Sequence, residues 1–499
     1  MEKEIELKIL LPEGINEASL LSVLKGFAAN IETSEFTLFN QYFDTPEWAL
    51  SAHNIGLRVR SSEKGIEQTV KTAGRTVGGL HQRPEYNVAI DSLDPDLELF
   101  PADIWPESLS VSELQENIVQ IFHTDFRRLA HLLRLSDGTD VELVFDKGDI
   151  STADNQTEIC ELELELKRGD IAVLFELAEK ITSIAPTQLC NISKAGRGFL
   201  LARKALAPAS ESLGYVSLER GDTCEQAFVK ALEYGLSFWQ KAEYRYRHRR
   251  KIADLFDIHI GLKLTAACVN LYSDVLNAEE LLDLRNALKL RLRKWAWIEQ
   301  LRSIKSLRSK RGMYSKRLVQ HAALISYLRG LQDGTLNLSR PDFLITHSDN
   351  TLLQLRLSKL LITKPWRQNN QRSKQNIREL ASDKLAEIWQ RVFESINGDS
   401  LTSQSYLQFE PLLDEALLVD RLVGDAFSSS KREAFCAPWQ DIYEGMQELR
   451  TLNVLQNKLQ DSDMENKTEL LQWSELKKST LVSVIKQSTL VAWEVEPYW

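Results

Sequence analysis

The feature that most constrains this chain is a strand-like alternation of apolar and ionisable side chains that recurs through its first 200 residues. At the N-terminus, Glu4, Glu6 and Lys8 are each followed by an aliphatic residue. Alternate side chains of a β-strand point to opposite faces, so each such strand needs one covered face and carries charge on the other. A sheet of these strands can curl so that its charged faces line a common interior. The pattern returns at 56–60, 68–71, 83–87, 124–128, 141–146 and 158–166.

The ionisable residues of these strands form two chemical groups. Charges confined in one interior are tolerated only when they pair or bind ions. Carboxylates could hold a hard divalent cation, Mg²⁺ or Mn²⁺, and the candidates are Glu4, Glu6, Glu161, Glu163 and Glu165. Basic side chains could hold a polyanion, and the candidates are Lys8, Arg58, Arg60, Lys71, Arg83, Arg128 and Lys194. A metal ion held by carboxylates beside guanidinium groups is typical of phosphoryl-transfer sites. The chain has no Gly-x-x-x-x-Gly-Lys loop, so an ordinary P-loop nucleotide site is not indicated.

The order of these motifs resembles the CYTH superfamily, also called triphosphate tunnel metalloenzymes. The resemblance covers roughly residues 1–204 and implies an eight-stranded antiparallel β-barrel that forms a tunnel for a triphosphate group. The motifs that carry it are Glu4-x-Glu6-x-Lys8, Gly56-Leu57-Arg58-Val59-Arg60, Thr69-Val70-Lys71, Arg83-x-Glu85, Glu161-Leu162-Glu163-Leu164-Glu165 and Ser193-Lys194-Ala195-Gly196-Arg197-Gly198.

The resemblance implies roles for the acidic residues. Glu4 and Glu6 resemble the metal-binding pair. Glu163 and Glu165 resemble the carboxylates that place a second metal, which orients the attacking water, and Glu161 assists them. The implied catalytic residues are Glu4, Glu6, Lys8, Glu163 and Glu165.

The resemblance likewise implies phosphate-binding roles for the basic residues. Arg128 is preferred to Arg127 because it fits the family's Phe-x-Arg spacing. Glu142 could support a basic residue in the tunnel, Asp146 could be a turn residue, and His53 and His81 are expected in loop or surface positions. The implied substrate site consists of Lys8, Arg58, Arg60, Lys71, Arg83, Glu85, Arg128 and Lys194.

Members of this superfamily hydrolyse inorganic triphosphate, thiamine triphosphate or RNA 5′-triphosphate, or cyclise ATP. A fused helical domain favours the inorganic triphosphatase, which yields pyrophosphate and phosphate. Two alternatives stay open. One is a polyphosphate-binding or scaffold protein, and the other is a triphosphatase or cyclase that acts on an organic triphosphate such as thiamine triphosphate or ATP.

A second domain is indicated by a change of composition near residues 205–218, where Pro, Ser, Ala and Gly cluster as in a linker. Residues 1–204 carry 20 Lys and Arg against 34 Asp and Glu, whereas the remainder carries 41 against 37. From residue 219 to 496 the apolar spacing is helical, starting with a Thr223-x-x-Gln226 capping box. The predicted fold class is α+β, a barrel followed by an all-helical bundle domain.

The segment Gln447-Glu448-Leu449-Arg450-x-x-Asn453-Val454-Leu455-Gln456-Asn457-Lys458-Leu459, with His259 and the helix predicted at 288–307, resembles parts of the CHAD family. That family consists of two related four-helix bundles that bind polyphosphate. The match is degenerate, since Leu262 stands where the family has an arginine after His259 and the family's Arg-Asp-x-Asp element is missing after Lys294. Two basic clusters are candidates for polyphosphate binding, namely 245–251 and 285–317, the second with 12 Lys and Arg against the single acid Glu299. Nucleic acid is not favoured as a partner, because Trp295, Trp297 and Tyr314 are explained as helix core.

The remaining composition suggests a cytoplasmic protein with no membrane partner. No apolar run approaches the length needed to span a bilayer, and the acidic, strand-like N-terminus does not resemble a signal peptide. The five cysteines are scattered without a Cys-x-x-Cys pair, which predicts reduced thiols.

Overall fold

The chain forms two compact units in a computed structural model that describes residues 2–12, 14–62, 65–276, 278–367, 372–396, 401–461, 464 and 466–499. The first unit comprises Met1–Ser210, Leu236–Asp254 and Asp342–Thr363, and the second comprises Glu211–Gly235, Leu255–Pro341 and Lys364–Trp499. Two segments from the helical half of the sequence therefore belong to the first unit. The limits predicted from composition, 1–204 and 219–496, stay a prediction.

The first unit is built on a closed antiparallel β-barrel, as predicted. Eight strands follow one another in the order β1-β9-β8-β7-β2-β3-β4-β6, and β6 pairs back onto β1. The short strands β5 and β10 add to β6 and β1 outside the closed ring. The strands are β1 Glu2–Leu10, β2 Asn30–Asp44, β3 Gly56–Ser62, β4 Gly65–Lys71, β5 Arg75–Val77, β6 Leu80–Ile90, β7 Val119–Arg134, β8 Asp140–Ser151, β9 Gln156–Arg168 and β10 Gln188–Leu189.

Helices of the same unit cover the apolar outer faces of the strands. Leu7 of β1 and Leu164 of β9 are fully buried in a core that also contains the apolar face of α4. A second core joins Leu57 and Val70 to Trp105, from the segment after β6. Because the apolar faces point outward, the ionisable faces point into the barrel. The helices are α1 Glu17–Lys25, α2 Ala49–Ala52, α3 Val111–Asn117, α4 Ala172–Thr182 and α5 Lys194–Ala202.

Helix α5 brings two basic residues into the barrel. Ser193 caps it by accepting a hydrogen bond from the backbone N–H of Gly196 at 3.1 Å. Gly198 lies so close to β7 that a Cβ atom there would be 2.0 Å from the Phe122 ring, so glycine permits the approach. Lys194 and Arg197, at the start of the helix, are consequently buried.

The rest of the described chain is helical, as predicted. The Thr223–Gln226 capping box forms, with Gln226 Oε1 2.8 Å from the Thr223 N–H and Thr223 Oγ1 3.2 Å from the Gln226 N–H. The helices are α6 Cys224–Arg249, α7 Ile252–Leu276, α8 Glu279–Lys294, α9 Trp297–Arg308, α10 Ser315–Leu318, α11 Ala322–Ser339, α12 Pro341–Thr346, α13 Ser348–Thr363, α14 Ile377–Ile396, α15 Ser403–Val423, α16 Ser429–Gln460 and α17 Lys467–Glu494.

Apolar stripes of these helices form the core of the second unit. Ile442, Met446 and Leu449 of α16 are fully buried, and Leu307 of α9 is 1% exposed. The arrangement as two four-helix bundles stays a prediction. All five cysteines are free thiols. Among the described residues, none of the helices is both long enough and apolar enough to cross a membrane.

Candidate active site

A pocket of about 280 Å³ lies inside the barrel, and most of the side chains that line it are charged. Every residue predicted for the site lines this pocket except Glu161. Its eight basic side chains are Lys8, Arg58, Arg60, Lys71, Arg83, Arg128, Lys167 and Lys194, and its seven acidic ones are Glu4, Glu6, Glu67, Glu85, Glu142, Glu163 and Glu165.

Strand register sets three carboxylates side by side at one level of the barrel. Glu6 of β1 lies opposite Glu165 of β9, and Glu165 lies opposite Glu142 of β8. Burial raises the pKa of Glu6 to about 7, with the charges of Glu163 and Glu4 adding to the effect and Lys8 opposing it. Burial, with Glu4 and Glu142 nearby, also raises the pKa of Glu165. Burial and the neighbouring carboxylates therefore both disfavour the ionised forms of Glu6 and Glu165.

Two lysines contact this row from opposite ends. The Lys8 Nζ lies 2.7 Å from Glu6 Oε1, and the Lys167 Nζ lies 2.8 Å from Glu165 Oε2 and 3.2 Å from Glu142 Oε2. The Lys8 side chain is buried, whereas the Lys167 side chain is 38% exposed. Glu142 and Glu165 are therefore paired with a half-exposed ammonium.

The next level of the barrel is, by contrast, fully paired. Glu163 contacts Lys8 through a short hydrogen bond, Lys194 at 3.0 Å and Arg128 at 3.2 Å. Burial alone would raise the pKa of Glu163, yet Lys194, Lys8 and Arg128 hold it well below its usual range. Burial would lower the pKa of Lys8, yet the charges of Glu163 and Glu6 hold it well above its usual range. These groups are charged at neutral pH.

Asp146 anchors the basic side of this network and was missed by sequence reasoning. It lies within β8 rather than in a turn, so that expectation is wrong. It is fully buried, accepts both Arg128 Nε at 2.7 Å and Arg128 Nη2 at 2.6 Å, and contacts Lys194 Nζ at 2.7 Å. The fork geometry fixes the Arg128 guanidinium in the pocket wall.

Glu161 lies outside the pocket lining. It is 1% exposed and pairs with Lys194 and Arg197, both through short contacts. Oxygens of Asp146, Glu161 and Glu163 come within 4.8 Å of one another, the spacing of a metal centre. The Lys194 ammonium already contacts all three, so these carboxylates hold a lysine.

Two arginines of the pocket form no ion pair with any carboxylate among the described residues. Arg60 donates from Nε to Asn40 Oδ1 at 2.7 Å, and burial with the nearby charges of Arg58 and Arg128 lowers its pKa. The polar contact of Arg83 is with His81, at 3.5 Å. Such uncompensated guanidinium groups are suited to bind an anion.

The other basic groups of the wall share carboxylates. Lys71 contacts both Glu4 at 2.6 Å and Glu85 at 3.1 Å. Arg58 donates to Thr69 Oγ1 at 2.9 Å and lies 3.6 Å from Glu85. Glu85 thus positions two cations that face the cavity.

The two histidines near the strands behave differently. His53 is exposed at the end of α2 and contacts Ala49 O and Ser108 Oγ, as expected of a surface residue. His81 contradicts the expectation, because it is fully buried on β6 with Nε2 3.0 Å from Cys190 O. Burial, with Lys8 and Arg83, lowers the pKa of His81 to about 3, so the ring is neutral.

The basic cluster 245–251 is largely engaged within the first unit. Arg245 Nε lies 3.1 Å from the buried Asp254, and Arg249 pairs with the same carboxylate. Arg250 pairs with Asp342. This cluster is therefore a structural charge network more than a free cationic surface.

In the second unit, the surroundings of His259 are acidic. A cleft that includes His259 is lined by four carboxylates, Glu299, Glu410, Asp414 and Glu415, beside Lys263 and Arg450. Arg450 pairs with Glu299 and Glu410.

Trp295 and Tyr314 are buried, as expected of helix core. The exposed cations of cluster 285–317 include Lys289, Arg293 and Lys294 on α8.

Comparison with known proteins assigns the barrel. Residues 2–199 match the model of the CYTH domain family. The chain is 34% identical over 205 residues to an inorganic triphosphatase of Haemophilus influenzae (strain ATCC 51907 / DSM 11121 / KW20 / Rd), a match that covers 41% of this chain. The chain spans 56% of the length of that relative.

Two solved structures resemble separate parts of the chain. One is a proposed adenylyl cyclase from Hippeastrum with a dominant triphosphatase activity, 21% identical with a TM-score of 0.30, covering 41% of this chain and 98% of that one. The other is the CHAD domain of the plant Ricinus communis, 10% identical with a TM-score of 0.44, covering 58% of this chain and 99% of that one.

Proposed function

We propose that the CYTH domain is a metal-dependent triphosphatase that hydrolyses inorganic triphosphate to pyrophosphate and phosphate. The observation that carries the proposal is the division of the barrel pocket. Carboxylates of β1, β8 and β9 gather on one side, whereas uncompensated arginines of β3 and β6 face the same cavity. The similarity to an inorganic triphosphatase supports the choice of substrate.

The basic wall binds the phosphate groups in this proposal. Arg60 and Arg83 contribute charge that no described carboxylate neutralises. Arg58 and Lys71 share Glu85, and Arg128 is fixed by Asp146. Each guanidinium offers several N–H donors in a fixed plane, which matches tetrahedral phosphate oxygens better than a surface lysine would. The roles of Lys8 and Lys194 in binding phosphate are weaker, because each already contacts two or more carboxylates.

The acidic row fits a divalent cation. Glu6 and Glu165 of this row, with Glu4 on the same face of β1, supply the all-oxygen donors that Mg²⁺ and Mn²⁺ prefer. Burial raises the pKa of both Glu6 and Glu165, and a bound cation would favour their ionised forms. Glu163, on the next level, stays ionised. A bound cation would neutralise charge on the phosphoryl oxygens and make water a better nucleophile. Glu161 is placed too deep for this role, and we assign it to holding Lys194 and Arg197.

The test is phosphate release by the full chain. Inorganic triphosphate, ATP, thiamine triphosphate and long-chain polyphosphate are each supplied with Mg²⁺, with Mn²⁺ and with EDTA. We expect fast release from free triphosphate that EDTA abolishes, and much slower release from the esters. Turnover of an ester in preference to free triphosphate would overturn the substrate assignment. Release that EDTA leaves unchanged would overturn the metal assignment.

Polyphosphate at the helical region is a second candidate activity, favoured by the exposed cations Lys289, Arg293 and Lys294 on α8. A phosphate polymer on this face would bind with an affinity that falls steeply with salt. Replacing all three by glutamate should weaken retention on immobilised polyphosphate, and unchanged retention would exclude this face. We also place the protein in the cytoplasm, which the five free thiols favour.

A further inference from the structure

A second groove adjoins the tunnel pocket and has a different charge. The two cavities share Gly56, Arg83, Ser193 and Ala195 in their linings, so they lie next to each other. The second groove, here called the mouth groove, has a volume of about 520 Å³ and is lined in part by α5. Because Arg83 lines both cavities, an anion bound at Arg83 lies at their border.

The mouth groove is cationic. Its lining contains two arginines, Arg83 and Arg203, and no Asp or Glu among the described residues. The tunnel pocket, in contrast, carries nearly balanced charge. A groove with two guanidinium groups and no carboxylate favours anions over neutral or cationic groups.

Arg203 is held in position without losing its charge. Its Nη2 donates to Ser51 Oγ at 2.8 Å, and its guanidinium lies 4.6 Å from the centre of the Trp48 ring. Trp48 itself has φ +66°, a left-handed conformation that bulky residues rarely adopt. A hydroxyl and an aromatic face orient the guanidinium but do not neutralise it. Among the described residues, Arg203 makes no ion pair.

The start of α5 adds donors to the same wall. Ser193, Ala195 and Gly196 line the groove at the N-terminal end of this nine-residue helix. The first backbone N–H groups of a helix lack intrahelical acceptors and carry partial positive charge. The Gly196 N–H is capped by Ser193 Oγ, so the helix end adds partial positive charge to the arginine charges of this wall.

We infer that the mouth groove binds phosphate groups beyond the third, so that the domain accepts linear polyphosphates longer than triphosphate. The inference rests on the proposed triphosphatase function and extends its substrate class. A nucleoside or thiazole substituent would also project from the tunnel, but it would leave both arginines without anionic partners. Longer inorganic chains make use of every group in the groove.

The experiment compares kcat/KM for inorganic triphosphate and linear tetraphosphate in wild type, Arg203→Ala and Arg203→Lys. Arg203→Ala should lower kcat/KM for tetraphosphate about tenfold, the loss expected for one charge-assisted contact, and leave triphosphate within twofold. Arg203→Lys should restore part of it. Lys204→Ala is the matched control, because Lys204 is the exposed neighbour and should change neither substrate.

The outcomes separate this inference from the proposed function. Equal effects of Arg203→Ala on triphosphate and tetraphosphate, or no effect on either, would overturn the assignment of the groove to phosphate chains. If wild type releases no phosphate from either chain, the proposed function fails. Calorimetric binding of tetraphosphate to wild type and Arg203→Ala then decides the groove alone, where weaker binding by the variant supports it and equal binding overturns it.

Discussion

The Nζ of Lys167 lies 2.8 Å from Oε2 of Glu165, two residues earlier on the same strand face. Lys167 also contacts Glu142, the residue directly opposite Glu165 on β8. Both acids belong to the row that best fits a divalent cation. A protein ammonium therefore occupies the coordination space of these carboxylates before any metal arrives.

Removing this ammonium should strengthen metal binding. In Lys167→Met the carboxylates lose a competing cation, so the Kd for Mn²⁺ should fall by about fivefold, in line with roughly 1 kcal/mol for a half-exposed pair. Isothermal titration of the metal-free protein measures this directly. The matched control is Lys180→Met, an exposed lysine on α4, which should leave the Kd unchanged. A higher Kd in Lys167→Met would mean that the lysine orients the ligands instead of competing.

Adjacent arginines on β7 should differ sharply in their effect on turnover. Arg128 lines the pocket and forks onto Asp146, whereas Arg127 points to the other face and pairs with Glu17 and Glu35. Arg128→Lys keeps the charge but loses the bidentate geometry, so kcat/KM for triphosphate should fall by 10- to 100-fold, roughly 1–3 kcal/mol of charged hydrogen bonding. Arg127→Lys should stay within twofold.

Thermal unfolding accompanies these assays, because a misfolded variant would mimic a catalytic one. Similar melting temperatures for the two variants would assign the difference in turnover to the pocket. Equal activity of Arg127→Lys and Arg128→Lys would show that neither guanidinium contacts the substrate, and the preference for Arg128 from its Phe-x-Arg spacing would be wrong.

The strands and the direction of their side chains could be predicted from sequence because a strand has a period of two. Glu6 and Lys8 share a face whatever the partner strand is, and the same holds for Arg58 and Arg60. The charged side chains are expected to point into the barrel because the residues that alternate with them are aliphatic and pack on its outer face. The barrel and most of its lining were predictable for this reason.

Depth along the tunnel and the choice of ion partners could not be predicted in this way. Glu161 and Glu165 lie on the same face of β9, yet Glu161 is buried behind Lys194 whereas Glu165 lines the cavity. Asp146 meets Arg128 because β7 and β8 pair in that register, which no local pattern encodes. The position of Lys167 in the pocket could have been predicted, since it follows Glu161, Glu163 and Glu165 at every second residue of the strand.

Glu6 should make the stability of the metal-free protein depend on pH. Its pKa is raised from 4.5 to about 7, first by burial and then by Glu163 and Glu4. A carboxyl with a higher pKa in the folded state stabilises the fold at low pH, and this contribution is lost as the pH rises through about 7. In EDTA, Glu6→Gln should therefore gain melting temperature relative to wild type between pH 5 and pH 8.

The same comparison with Glu67→Gln, a carboxylate of β4 in the same pocket, controls for the loss of one acidic side chain. A difference in melting temperature that stays constant from pH 5 to pH 8 would show that Glu6 does not titrate in this range. Saturating Mg²⁺ should shrink the difference at pH 8, because a bound cation stabilises the ionised form that only wild type has.

Asp146→Asn should be the most destabilising of these substitutions. The carboxylate is fully buried and pairs with Arg128 and Lys194. Among the described residues, the other carboxylates that pair with these two cations are Glu161 and Glu163. Neutralising it leaves two buried cations with fewer counter-charges, which costs about 3–5 kcal/mol in comparable buried pairs. Urea unfolding at pH 7 measures the loss, with the exposed Asp125→Asn of β7 as the control. The two cations hold the pKa of Asp146 below its usual 3.8 against the opposing effect of burial, so the difference between wild type and variant should persist down to about pH 4 and narrow only below it. An Asp146→Asn protein as stable as wild type would mean that the glutamates of β9 alone hold Arg128 and Lys194 in the wall of the tunnel.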